Sequence, residues 1–227
     1  MKRSLLVVVL VFVQSLCWAQ TAENDPDPAR FDGEIAQFQQ WDAKNSYPEQ
    51  AILFVGSSSI RMWETHEAFP EYPIINRGFG GSHISDVQHL YDQVIKKYNP
   101  SVILFYAGDN DVAADKPVEQ VMADYKEITD RILDDFPDVK FVYVPIKPSS
   151  SRWQYWSAMD AANQKIKAYN KMHSQLYYID LATPLLGSDG TPDDSFFIDD
   201  QLHLNKSGYA VWNQIVAPKL GQWYQQK

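Results

Sequence analysis

Apolar residues recur along the chain in two alternating patterns. Short continuous apolar runs are typical of strands buried on both faces of a parallel sheet, and they alternate with stretches whose apolar residues are three or four apart, as on one face of a helix. The predicted strands are 51–55, 72–78, 101–107, 139–146 and 176–182. The predicted helices are 30–44, 83–98, 117–136, 155–175 and a last helix that Ser207 caps and that ends near Trp223. This alternation predicts one α/β domain, a three-layer α/β/α sandwich around a parallel sheet.

The first nineteen residues follow a different pattern. Basic Lys2 and Arg3 precede an apolar run, and Ala19 stands at a plausible cleavage point. This predicts a signal peptide over 1–19, a flexible polar leader over 20–29 and a single domain over 30–227, in an exported protein that is periplasmic or secreted. The apolar run is short for a bilayer span, so no membrane segment is expected in the mature chain. A lipoprotein anchored through Cys17 is the alternative, but the residues before that cysteine fit a lipobox poorly.

Charge and cysteine content narrow the function classes. The chain carries 20 basic and 29 acidic side chains, a net charge of −9. Removal of Lys2 and Arg3 leaves 18 basic residues and a net charge of −11, which argues against nucleic acid as a partner. Cys17 is the only cysteine, so the mature domain would have no disulfide and its stability would depend on the hydrophobic core. With 45% hydrophobic residues, the chain can form one sizeable core. The five histidines show no paired ligand spacing, and neither a metal nor a cofactor is expected.

Polar turns follow three of the predicted strands. Ser57–Ser59 follow Gly56, the glycine-rich turn Gly78–Ser82 follows the second strand, and Gly108–Asp111 follow the third. Because parallel strands all point the same way, these turns open at one edge of the sheet. The segment Asp200–His203 precedes the last helix. Together these segments supply a hydroxyl, glycine N–H groups, a carboxamide, an imidazole and a carboxylate, which are the parts that acyl transfer requires.

Each part by itself has a simpler explanation. A serine at a strand–helix turn is commonly an N-cap, and Asn-Asp after a strand commonly caps a helix or forms an Asx turn. A single Asp-x-x-His is commonly a solvated loop. The order of the four segments and their common placement favour an active site over these separate explanations.

The four segments resemble the conserved blocks of the SGNH (GDSL-like) hydrolase family. Those blocks are Gly-Asp-Ser after the first strand, a glycine after the second, Gly-x-Asn-Asp after the third and Asp-x-x-His before the last helix. The matching segments here are Gly56-Ser57-Ser58, Asn76-Arg-Gly-Phe-Gly-Gly81, Gly108-Asp-Asn110-Asp111 and Asp200-Gln-Leu-His203. The resemblance covers essentially the whole predicted domain. It implies a flavodoxin-like sandwich with a five-stranded parallel sheet and the hydrolysis of a small-molecule ester.

The resemblance also implies a role for each matching residue. Ser58 would be the nucleophile, His203 its base and Asp200 the carboxylate that orients His203. The oxyanion donors would be the backbone N–H groups of Ser58 and Gly81 and the side chain of Asn110. Because Asp200 and His203 lie on one short turn, the carboxylate can hold the imidazole in the tautomer that accepts the proton of Ser58. A carboxamide suits an oxyanion because it donates without repelling the developing negative charge.

The chain departs from the family pattern at two positions. Ser57 stands where the family usually has Asp, and Ser82 stands where some members have Asp. The side chains that support these loops must therefore differ from those of the family, although no catalytic residue is lost. The serine triplet leaves Ser59 as an alternative nucleophile, but Gly56 directly ends the strand and this favours Ser58.

Three further side chains, Arg77, Arg152 and Trp153, are expected in loops that flank this site, where they could contact substrate. The family takes acetylated sugars, phospholipid acyl or acetyl esters, short aliphatic esters and thioesters. No long apolar insertion suggests a lipid-binding lid, which favours short-chain or acetyl esters. The acidic loop 189–200 lacks the ligand spacing of a calcium loop and is expected to be solvated.

Two non-catalytic functions compete with the esterase hypothesis. A flavodoxin-type module would bind phosphate or flavin at the serine turn, but it explains neither Asp200 and His203 nor the export signal. A family member that only binds sugars would keep the same loops without cleaving an ester. The sequence carries no indication of oligomeric state.

Overall fold

The computed structural model describes residues 25–224, so the predicted signal peptide lies outside the described residues. The strands are β1 Ile52–Gly56, β2 Ile74–Gly78, β3 Val102–Tyr106, β4 Lys140–Tyr143 and β5 Leu176–Tyr178. The α-helices are α1 Asp32–Lys44, α2 Ser58–Arg61, α3 Thr65–Ala68, α4 Ile84–His89, α5 Tyr91–Val94, α6 Asp109–Ala113, α7 Val118–Asp135, α8 Trp156–Asn170 and α9 Lys206–Trp223. Short 3-10 helices span Pro28–Phe31, Lys96–Tyr98, Ser150–Tyr155, Thr183–Leu185 and Asp194–Phe196.

The five strands form one parallel sheet in the order β2-β1-β3-β4-β5. Ile52 of β1 pairs with Ile74 on one side and Val102 on the other. This is the flavodoxin-like strand order, in which the chain reverses direction across the sheet beside β1. The predicted fold class is confirmed.

Side chains of β1 alternate between the two faces of the sheet and build two cores. Leu53 and Val55 pack in one cluster with buried residues of α1, α4, α5, α7 and α8. Ile52 and Phe54 pack in the other, which includes Trp212 of α9. All five residues of β1 are buried, as expected for a strand covered on both sides. Helices therefore cover both faces of the sheet and give the three predicted layers.

The helix predicted over 83–98 is divided in the structure. The chain leaves the helical path at Leu90, where φ is −92° and ψ is 11°, so α4 and α5 are separate short helices. The apolar spacing nevertheless keeps Val87, Tyr91 and Val94 in one core. The apolar spacing therefore predicted the buried face correctly, although the helix that carries this face is interrupted.

The predicted cap of the last helix is wrong by two positions. Asn205 is the N-cap of α9, and its side-chain oxygen accepts the N–H groups of Ser207 at 2.8 Å and Gly208 at 3.1 Å. Ser207 lies in the first turn. The Asn205 carboxamide also donates to Phe197 O at 2.9 Å, so the cap ties the helix to the preceding loop.

Residues 25–29, the described part of the expected leader, contact the domain. Asp25 accepts a hydrogen bond from Ser85 Oγ at 2.7 Å and pairs with Lys116 at 2.5 Å. Phe31, just beyond them, is buried and packs edge-on against Phe79 with ring centroids 4.8 Å apart. In residues 25–224 no helix has the length and apolar character needed to cross a bilayer.

Candidate active site

The turn after β1 places Ser58 at the edge of the sheet. Gly56 has φ +132°, and a Cβ there would lie 1.9 Å from the carbonyl oxygen of Tyr106, so the tight passage from strand to helix requires glycine. Ser57 is extended and buried, and its N–H donates to Tyr106 O at 2.9 Å. Ser58 then opens α2 with a partly exposed side chain, whereas Ser59 is buried at 2% exposure.

The loop before α9 is shaped by Asp200. Its Oδ1 accepts the backbone N–H groups of Leu202 and His203, both at 2.9 Å. Its Oδ2 lies 2.6 Å from Nδ1 of His203. The two bonds to backbone fix the carboxylate independently of the imidazole, so His203 is oriented by a group that is itself held.

His203 connects this loop with the serine turn. Its Nε2 lies 2.9 Å from Ser58 Oγ, while its Nδ1 faces Asp200. Two loops separated by more than 140 residues are therefore joined by a continuous series of hydrogen bonds. Ser58, rather than Ser59, is the serine that meets the imidazole.

The pKa of Asp200 indicates which tautomer His203 adopts. Partial burial by itself would raise that pKa, but hydrogen bonds from the side chain and N–H of His203 and from the Leu202 N–H lower it to about 2. An ionised carboxylate only accepts hydrogen bonds, so Nδ1 must carry the proton. Nε2 is then left as the acceptor for the Ser58 hydroxyl, which is the arrangement a general base needs.

Two backbone N–H groups and one carboxamide are available at the same edge. Within residues 25–224, neither the Ser58 N–H nor the Gly81 N–H donates to a protein acceptor. Gly81 has φ +80°, and nothing lies within 4 Å of the place a Cβ would take. Asn110, in α6, donates from Nδ2 to Ser82 O at 3.0 Å, which leaves its second amide hydrogen available.

Asp111, next to Asn110, has a structural role. Its carboxylate is fully buried, accepts the Ile84 N–H at 3.2 Å from both oxygens and pairs with Lys116 at 3.1 Å. These bonds join the turn after β3 to the helix that follows the glycine turn. Asp111 therefore holds two of the polar segments in register.

The three expected substrate contacts lie in different surroundings. Arg77 is a residue of β2 rather than of a loop, and its guanidinium binds Asp42 at 2.5 Å and Tyr98 Oη at 2.6 Å, with 11% of the side chain exposed. Arg152 and Trp153 lie in the 3-10 helix 150–155, where a loop was expected. Arg152 binds Asp109 and Asn110. Trp153 stacks on Trp156 with centroids 5.8 Å apart and an interplanar angle of 14°.

Sequence patterns did not indicate that Asp109 and Lys147 form a charged pair near Asn110. Asp109 Oδ2 accepts from Tyr106 Oη at 3.0 Å and lies 3.4 Å from Nζ of Lys147, whose side chain is 1% exposed. One available signal was position, because Lys147 directly follows the predicted fourth strand and so lies at the same edge of the sheet. No group of three or more His, Cys, Asp or Glu side chains in the described part of the chain is placed to hold a metal ion.

The fold and the sequence family together identify the chain as an ester-bond hydrolase. The model of the GDSL-like lipase/acylhydrolase family matches residues 61–211, and the chain belongs to this family. The match begins just after the serine turn and includes the remaining three segments. No curated protein matches the sequence.

Solved structures share the fold. A protein from Streptococcus pneumonia, provisionally identified as a platelet activating factor, aligns with TM-score 0.74 and 21% identity over 92% of this chain and 97% of its own. A GDSL-like lipase from Bacteroides thetaiotaomicron aligns with TM-score 0.71 and 17% identity over 83% and 97%. A catalytic mutant of an acetylxylan esterase from Geobacillus stearothermophilus aligns with TM-score 0.60 and 14% identity over 81% and 100%. At these identities the likeness concerns the fold.

Proposed function

We propose that this chain is a serine ester hydrolase in which Ser58, His203 and Asp200 form a catalytic triad. The observation that carries the proposal is the connected geometry: Ser58 Oγ to His203 Nε2 at 2.9 Å, and His203 Nδ1 to Asp200 Oδ2 at 2.6 Å. Both distances are those of hydrogen bonds, and the order of groups is that of an activated nucleophile.

In the proposed reaction, Ser58 Oγ attacks the ester carbonyl while His203 Nε2 takes the hydroxyl proton. The resulting imidazolium stands against the ionised carboxylate of Asp200, which stabilises it. The carbonyl oxygen gains negative charge, and the N–H groups of Ser58 and Gly81 with the Nδ2 of Asn110 donate to it. His203 then returns the proton to the leaving alcohol, and water repeats the sequence to release the acid and restore Ser58.

The surface around the triad supports a short-chain or acetyl ester as substrate, such as an acetylated sugar or a lysophospholipid-type ester. Among the described residues, two large exposed apolar side chains belong to the segments that carry the triad: Met62, one turn after Ser58, and Ile198, whose N–H bonds to His203 O. Two exposed apolar side chains offer little area for a long acyl chain, whose binding needs a continuous apolar surface, so a short acyl group is favoured. The solved acetylxylan esterase has the same fold and acts on an acetyl ester.

Export is a further part of this proposal. It rests on the basic, apolar and small-residue pattern of residues 1–19, which lie outside the described part of the chain. Comparison of the N-terminal sequence of the protein recovered from cells with that of the gene product tests it, since cleavage after Ala19 is expected.

Fluorophosphonate labelling of the purified protein, followed by mass spectrometry, tests the nucleophile. We expect one adduct, on Ser58, and a loss of at least about 10³-fold in ester hydrolysis in Ser58→Ala, because no other group replaces the nucleophile. Ser59→Ala is the matched control, since Ser59 is buried and the imidazole is hydrogen-bonded to Ser58.

Other outcomes would point elsewhere. An adduct on Ser59, with full activity in Ser58→Ala, would move the mechanism by one residue. A folded protein without adduct or hydrolysis would favour a binding module, and visible absorbance of the purified protein would then indicate a flavin.

A further inference from the structure

Asn110, the carboxamide of the proposed oxyanion site, is held by a guanidinium. Its Oδ1 accepts from both terminal nitrogens of Arg152, each at 3.1 Å. On its other side, Nδ2 donates to Ser82 O at 3.0 Å. Every hydrogen-bonding atom of the carboxamide except one amide hydrogen therefore has a partner in the protein.

These partners allow only one orientation of the amide. A carboxamide can rotate by half a turn and exchange its oxygen and nitrogen with little change in shape. A guanidinium has donors and no acceptor, so it rejects the NH₂ group, and the Ser82 carbonyl rejects the amide oxygen. Rotation would place donors against donors and an oxygen against an oxygen. Arg152 thus fixes Nδ2 on the side opposite to itself.

Arg152 is in turn held by a buried carboxylate. Asp109 is 5% exposed, and its Oδ1 accepts from Arg152 at 2.5 Å. Its Oδ2 accepts from Tyr106 and faces Lys147. Burial by itself would raise the pKa of Asp109, but the nearby charges of Lys147 and Arg152 outweigh it and hold the pKa below its usual value. Asp109 is therefore ionised, and it anchors the guanidinium with a charge-assisted hydrogen bond.

We propose that Arg152 is a positioning residue that fixes and polarises the Asn110 carboxamide as an oxyanion donor. This inference rests on the proposed function, because it assigns Arg152 to the transition state of that reaction. A donor that is already oriented needs no reorganisation when the carbonyl oxygen becomes charged. A cation on Oδ1 also withdraws electron density from the amide and strengthens its remaining N–H as a donor.

The proposal differs from the role expected from sequence, in which Arg152 touches substrate. If Arg152 contacted the substrate, its removal would weaken substrate binding, and this effect would be independent of Asn110. A positioning residue acts through Asn110, so its loss lowers the rate of the chemical step and has little further effect once Asn110 is gone.

Kinetics of Arg152→Met, Asn110→Ala and the double variant test this, with Arg131→Met as matched control on α7. Arg131 is exposed and pairs with Asp92 on the surface. For Asn110→Ala we expect kcat to fall about 10²-fold to 10³-fold, the usual effect of losing one oxyanion donor. For Arg152→Met we expect a fall of about tenfold or more with KM within about twofold, and the double variant should lie within about threefold of Asn110→Ala.

Arg152→Lys separates charge from geometry and covers the case in which Arg152→Met folds poorly. An ammonium can pair with Asp109 but does not supply the planar fork that also binds Asn110 Oδ1, so kcat should remain well below that of the parent. Thermal unfolding of each variant identifies losses that come from the fold.

A readout independent of turnover is the side-chain NH₂ signal pair of Asn110 in ¹⁵N-labelled protein, assigned by its loss in Asn110→Ala. Arg152→Met should shift or broaden this pair, and Arg131→Met should leave it unchanged. If the parent cleaves no ester and takes no label, the proposed function fails, while this signal still tests the hold on the amide.

Three results would overturn the inference. The losses of Arg152→Met and Asn110→Ala could multiply fully in the double variant, or Arg152→Met could change KM alone; either result would make Arg152 a substrate contact. The third is an unchanged Asn110 signal in Arg152→Met.

Discussion

Asp200→Asn tests whether the carboxylate sets the tautomer of His203. The substitution keeps the shape of the side chain and changes one oxygen into an NH₂ group. If the amide oxygen keeps the N–H groups of Leu202 and His203, both now at 2.9 Å, the NH₂ faces Nδ1 of His203. Nδ1 must then accept, the proton moves to Nε2, and the imidazole can no longer take the proton of Ser58.

The size of the loss follows from the competing orientation. Turning the amide so that its oxygen faces Nδ1 restores the useful tautomer but breaks both hydrogen bonds to backbone, at about 1 kcal/mol each. A cost of about 2 kcal/mol leaves roughly one molecule in 30 in that orientation. With the wrong tautomer throughout, the loss would reach about 10⁴-fold, or about 5 kcal/mol. We therefore expect kcat for an acetyl ester to fall between about 30-fold and 10⁴-fold.

The assay is hydrolysis of p-nitrophenyl acetate by parent and variant, with thermal unfolding to show that the loop is intact. Because the pKa of Asp200 is about 2, the carboxylate of the parent is ionised at every practical assay pH. Asp199→Asn is the matched control, since this neighbouring acid is exposed and the two ring nitrogens of His203 are hydrogen-bonded to Asp200 and Ser58 instead. Less than a tenfold loss in Asp200→Asn, with normal stability, would refute the assignment of the tautomer to Asp200.

Two further predictions concern stability. Gly56→Ala should lower the free energy of unfolding by about 3 kcal/mol or more, because its Cβ would meet Tyr106 O at 1.9 Å and its φ is +132°. Gly33→Ala, on helix α1 with open space at the Cβ, should raise the free energy of unfolding by about 0.5–1 kcal/mol. Urea unfolding measures both variants, and equal changes in stability would contradict the steric argument. Asp42→Asn tests the ion pair of Arg77: burial by itself would raise the pKa of Asp42, but hydrogen bonds from Lys97, Tyr98 and Arg77 hold it below its usual value. A lowered pKa stabilises the fold above about pH 4 and loses that effect as the pH falls through the folded-state value, so the deficit of Asp42→Asn should be largest near neutral pH and shrink in acid; a deficit independent of pH would contradict it.

The sequence by itself determined the fold class and the composition of the candidate site. Strands β1 and β3 are continuous apolar runs because both faces of each are covered, and such runs can be recognised without structure. The parallel arrangement follows from alternation with helices, and it brings polar segments at strand ends to one edge. The GDSL-like blocks then suggested Ser58, Asn110, Asp200 and His203 as site residues.

The ends of the helices depend on contacts with segments that are distant along the chain, and these contacts cannot be read from the local sequence. The cap of α9 is Asn205 rather than Ser207 because the Asn205 carboxamide also binds the backbone of the preceding loop. Both residue types favour N-caps, and only the position of that loop selects between them. The break at Leu90 is similarly invisible to apolar spacing, since residues on both sides pack in the same core.

Tertiary structure alone decided how the charged side chains are paired. Arg77 and Arg152 have the same chemistry, and both were expected near substrate. Arg77 instead pairs with Asp42 of α1 beside β2, and Arg152 reaches Asp109 and Asn110 from a segment about 40 residues away along the chain. A hydrogen bond depends on positions within a few tenths of an ångström, and those positions are set by the packing of whole elements. Sequence therefore supplied the site's chemical groups, whereas the orientation of each group was decided by the fold that brings distant segments together.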